Sequence, residues 1–112
     1  MTNSQNYLAT YVVCSNGLIR NGVVAVDNDG IRAVCLGSVD QMDCEPEHTV
    51  YVQGVIAPLA DVTSSAESLA EVARLIDQNL AGRWNNESFV ANNLRLYSLD
   101  SGCNVCVKPV FS

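Results

Sequence analysis

Histidine is almost missing from this 112-residue chain: His48 is the only one. A site that needs several imidazoles therefore cannot be assembled within one molecule. Basic residues are nearly as scarce, with six Lys and Arg against twelve Asp and Glu and a formal charge of −6. Arg20, Arg32, Arg74, Arg83, Arg95 and Lys108 are scattered along the chain without a cluster. Such a chain repels phosphate backbones and anionic lipid, which argues against nucleic-acid and membrane partners. No apolar run approaches the roughly 20 residues that cross a bilayer as a helix. The opening Met1-Thr2-Asn3-Ser4-Gln5-Asn6 lacks the basic and apolar regions of a signal peptide. The five cysteines, an odd number, are then expected as reduced thiols in a cytoplasmic protein.

What is present is apolar. Hydrophobic residues make up 48% and charged ones 16%, the balance of a folded chain and not of a disordered tail. The length leaves room for a single domain spanning residues 1–112. Tyr7-Leu8-Ala9-Thr10-Tyr11-Val12-Val13-Cys14 is rich in strand-forming types and stops at Asn16-Gly17, a turn pair. A second turn at Asn21-Gly22 opens Val23-Val24-Ala25-Val26-Asp27. Asn28-Asp29-Gly30 then reverses the chain into Ile31-Arg32-Ala33-Val34-Cys35-Leu36, a β-hairpin pattern. Ile31, Ala33 and Cys35 share one face, while Val34 and Leu36 share the other with Arg32. Apolar residues on both faces predict a strand covered on both sides.

Residues 37–48 form an acidic loop, and Thr49 to Ala57 reads as a bent strand or strand pair stopped by Pro58. The period then changes. Ser64-Ser65-Ala66-Glu67 fits a capping box, and Leu69, Val72, Ala73, Ile76 and Leu80 follow as one helical stripe. A helix over 65–81 is expected, stopped by Gly82, with its stripe laid on the sheet. Residues 83–93 are polar and asparagine-rich, anchored by Trp84 and Phe89. Strands return at 94–99 and 105–111, around a turn at Asp100-Ser101-Gly102.

Two stretches carry a resemblance. Asn21-Gly22-Val23-Val24-Ala25-Val26-Asp27-Asn28-Asp29-Gly30-Ile31-Arg32-Ala33-Val34 and Val55-Ile56-Ala57-Pro58-Leu59-Ala60-Asp61 resemble the N-terminal segment of metal-dependent hydrolases of the amidohydrolase superfamily. In that family the segment belongs to a small composite β-sandwich built by both ends of the chain, with a catalytic (β/α)₈ barrel between them. The resemblance covers residues 7 to 61. It implies that strands 94–99 and 105–111 are the returning contribution and that residues 62–93 stand where the barrel would be. A barrel needs about 250 residues. Where the family places His-x-His after the aspartate, this chain has Val62-Thr63-Ser64-Ser65. The resemblance therefore carries over no catalytic residue.

Other motifs are weighed against plainer readings. Cys103-Asn104-Val105-Cys106 has metal or redox spacing, yet Cys14, Cys35 and Cys44 offer no second pair. Buried or half-buried thiols are the plainer expectation. Asp27-Asn28-Asp29-Gly30 lacks the closing glutamate of a calcium loop. His48 is a solvated loop residue, and Ser64 and Ser65 are helix caps. Asn86-Glu87-Ser88 is a glycosylation pattern without consequence in the cytoplasm.

The expectation is a mainly β domain with one α-helix, a small sandwich or barrel with strands within about 7–61 and 94–111. No catalytic, cofactor or metal residue is assigned. The expected role is a non-catalytic structural or protein-interaction domain, homodimeric or bound to a protein partner, with Trp84, Phe89 and Phe111 as contacts. The alternatives are an accessory domain of a hydrolase whose barrel sits on another chain, and a small cysteine-based metal-binding protein.

Overall fold

The computed structural model describes residues 5–27, 32–43, 48–62, 65–85 and 89–110. The β-branched and aromatic runs become strands β1 (Gln5–Cys14), β2 (Gly17–Val26), β3 (Ala33–Ser38), β4 (Thr49–Pro58), β5 (Leu94–Leu99) and β6 (Val105–Pro109). The helical stripe becomes α1 (Leu69–Leu80). The strands form one six-stranded sheet in the order β3-β2-β1-β4-β5-β6. Every neighbouring pair is antiparallel except β1 with β4, which is parallel. The expected mainly β fold with one helix is thus present, as one hydrogen-bonded sheet and not two stacked ones.

That sheet is curled. In a flat sheet β3 and β5, four strands apart, would be separated by about 19 Å. Instead Arg32, next to β3, bridges Val90, just before β5. Ala33, Val24, Ala9, Ile56 and Leu94 consequently share one core with Ala91. The opposite face is covered by α1. Val13, Val55, Ala57 and Tyr97 meet Val72, Ala73 and Ile76 there, with Leu69 and Leu80 at the flanks. Val55, Ile56 and Ala57 alternate between the two cores, as the pleat requires.

Irregular positions make the curl. The expected second turn at Asn21-Gly22 is no turn: β2 runs through it. Asn21 takes a positive φ of 52° and its side-chain amide donates to Asp40 Oδ2 at 3.1 Å, so the pair bends the strand without ending it. Opposite, the β1–β4 register slips by one residue beside Gly54. A Cβ there would lie 2.5 Å from the Tyr97 carbonyl oxygen, so only glycine permits this approach.

Three expectations change further. The helix begins at Leu69, not 65. Ser68 Oγ accepts from Glu71 N–H, and Glu71 Oε2 accepts from Glu67 N–H, both at 3.2 Å. Residues 65–66 are instead extended: Ser65 bridges Asn104 and Ala66 N–H donates to Cys103 O. Second, β3 is not covered on both sides: Ala33 is buried, but Val34 and Leu36 are 57% and 47% exposed. Third, β6 stops at Pro109, short of 111. Gly82 does follow the helix as expected, with φ +75°. The reversal at 28–30 lies outside the described residues, although Val26 pairs with Ala33 on either side of it. Among the described residues no helix is long and apolar enough to cross a membrane.

Candidate functional site

Strand β4 ends where the chain leaves the sheet, and this exit carries a cleft lined by polar side chains. Pro58 closes the ladder opposite Leu94. The buried Tyr97 hydroxyl then donates to Pro58 O at 2.9 Å and accepts from Ala60 N–H at 2.8 Å. Burial pushes the Tyr97 phenol upward, so it stays protonated and able to donate. Leu59 N–H donates to Asn93 O at 3.2 Å, while its side chain is 64% exposed.

Beside this exit lies an open cleft of about 420 Å³, lined among others by Leu59, Asp61, Asn79, Arg83 and Arg95. Its lining includes two arginines and one aspartate, a charge balance that does not favour a metal cation. Arg95 is already engaged: Nη1 donates to Asn92 O and Leu94 O, each at 2.9 Å. Among the described residues no three His, Cys, Asp or Glu side chains gather where they could hold a metal ion.

The motifs singled out in the sequence fall apart in space. Cys103 sits in the β5–β6 turn with φ 62°, and Cys106 lies exposed on β6 opposite Ser98. Both thiols of the C-x-x-C are exposed, not buried or half-buried as expected. The turn itself is organised by Asp100, whose Oδ1 accepts from Gly102 and Asn104 N–H at 2.9 Å. Those bonds hold its carboxyl below the usual range. His48 is exposed as expected, with φ 56°, and its carbonyl accepts from Gln5 Nε2 at 2.8 Å. Asp27 is exposed. Ser64, Cys44, the remainder of the calcium-like loop, the glycosylation pattern and Phe111 lie outside the described residues. Trp84 and Phe89 are half-buried, Trp84 against the helix-side core and Phe89 against the other.

Two features were not singled out in the sequence. One is the edge strand β3, Ala33-Val34-Cys35-Leu36-Gly37-Ser38, which has neither charge nor proline. The other is a groove at the tip of the β1–β2 hairpin. The bend at Asn21 carries the hairpin tip back toward β3, so that Leu18, Ile19 and Arg20 line one groove with Gly37 and Ser38. At the tip Cys14 Sγ donates to Gly17 O at 3.6 Å.

A scan against protein-family models finds no match to this chain, and neither the curated proteins nor the solved structures contain one.

Proposed function

We propose that the chain is a non-catalytic interaction domain, built on the pattern of the hydrolase composite domain and self-associating through β3. The observation that carries the reading is the chemistry of the two sheet edges. β6 ends in Lys108-Pro109, a charge and a residue without an N–H, and both discourage further pairing. β3 has neither charge nor proline; it exposes Val34 and Leu36, with a bulge at Leu36 and the Arg32–Val90 bridge limiting the open edge to its middle. An edge of this kind pairs with itself antiparallel across a two-fold axis, the commonest symmetry of small soluble oligomers.

The composite-domain lineage is supported by connectivity. β4 lies between β1 and β5, so the strand that would lead into a barrel pairs with the strand that would return from it. The helix and its flanking segments occupy the interval between them. The exposed Leu59 at this exit also favours the second reading, an accessory domain on which a separate barrel-bearing chain docks.

Amide hydrogen exchange over 33–38 tests the self-association. Protection that grows with protein concentration is expected. Exchange in this segment that is fast and independent of concentration overturns it.

A further inference from the structure

We propose that Asn16, at the tip of the β1–β2 hairpin, is a site of spontaneous deamidation in the folded protein, and that the fold shields Asn21 from the same reaction. Both asparagines precede a glycine. A following glycine has no side chain to hinder attack by its backbone nitrogen, and its backbone turns most freely. The surroundings of the two pairs then differ. Asn16 is exposed in the turn that joins β1 to β2. Gly17 has φ +111°, and beyond its chain neighbours no heavy atom lies within 4 Å of where a Cβ would stand. It opposes Cys14 as the last rung of the β1–β2 ladder, where local opening costs least. Asn21 lies within β2, and its Nδ2 donates to Asp40 Oδ2 at 3.1 Å. Gly22 is buried and pairs with Ala9 on one side and Ser38 on the other. A Cβ on Gly22 would lie 2.6 Å from Val12 Cγ2, so no space surrounds that backbone. Ring closure at Asn21 requires strands on both sides to part.

The steps balance with water as the only co-reactant. The Gly17 nitrogen gives its proton to solvent hydroxide and attacks Asn16 Cγ. The new N–C bond closes a five-membered succinimide, the Cγ–Nδ2 bond breaks, and the nitrogen leaves as ammonia with a proton from water. A water molecule then adds to one of the two ring carbonyls and opens the ring. Opening at one carbonyl gives aspartate, and opening at the other gives isoaspartate. Overall one amide and one water give one carboxylic acid and one ammonia, and nothing is oxidised or reduced. Either product adds a negative charge to a chain already at −6. The isoaspartyl form also routes the backbone through the side-chain carbon. That lengthens by one atom the turn that sets the register of β1 against β2.

Trypsin separates the two sites, because it cleaves after Arg20 and Arg32. Folded wild-type protein is incubated in mildly alkaline buffer well below its melting temperature, beside the same chain in urea. Peptides 1–20 and 21–32 are then mapped by mass spectrometry. In the folded protein, peptide 1–20 should gain the mass of an amide-to-acid conversion, placed at residue 16 by fragmentation and split into two chromatographic forms. Asn16→Asp, made directly, marks which of the two is the aspartyl product. Asn21 should stay intact in the folded protein while Asn16 converts, and both should convert in urea. An Asn16 that persists in the folded protein while the urea-treated chain converts there would overturn the proposal. So would conversion of Asn21 in the folded protein as fast as Asn16.

Discussion

Tyr97 and Pro58, 39 residues apart, are joined by a buried hydrogen bond of 2.9 Å from the phenol to the proline carbonyl. The Tyr97 phenol oxygen also accepts from Ala60 N–H, so one side chain satisfies both backbone groups where β4 leaves the sheet. Tyr97→Phe removes both partners while leaving the ring in place. The cost of orphaning such groups is about 1–3 kcal/mol, and it should appear as a lower denaturant midpoint with an unchanged slope. An unaltered midpoint would mean that water replaces the phenol freely at this exit.

The helix offers a sharper contrast. Ile76 is fully buried between α1 and the sheet, whereas Gln78 is exposed on the far side. Truncating Ile76 to alanine should cost about 2–5 kcal/mol, a large fraction of the roughly 5–15 kcal/mol that holds a domain folded. Gln78→Ala should scarcely change the melting temperature. Equal effects at the two positions would show a helix detached from the core.

These two elements also mark how far the sequence could be read. The stripe Leu69, Val72, Ala73, Ile76, Leu80 is a local periodicity, and it lies where the pattern places it. The start of the helix is ambiguous in the sequence because Ser-x-x-Glu occurs twice, ending at Glu67 and at Glu71. Only the long-range bridge of Ser65 to Asn104 decides between them. Asn21-Gly22 carries turn chemistry, but ladder bonds on both sides keep β2 continuous through it. Val34 and Leu36 looked covered because apolar residues on both faces usually are, whereas β3 is an edge.

Self-association through β3 is tested most directly by sedimentation equilibrium of the wild-type chain beside Val34→Glu/Leu36→Glu. Both substituted side chains are exposed and lie on the unguarded edge. Two carboxylates per strand placed opposite their copies across a two-fold axis repel, as like charges on facing strand positions do. The account predicts twice the 12.0 kDa chain mass for wild type, and the single-chain mass for the variant at an unchanged melting temperature. A wild-type mass that stays at 12.0 kDa up to high micromolar concentration, or a variant that remains dimeric, would contradict it.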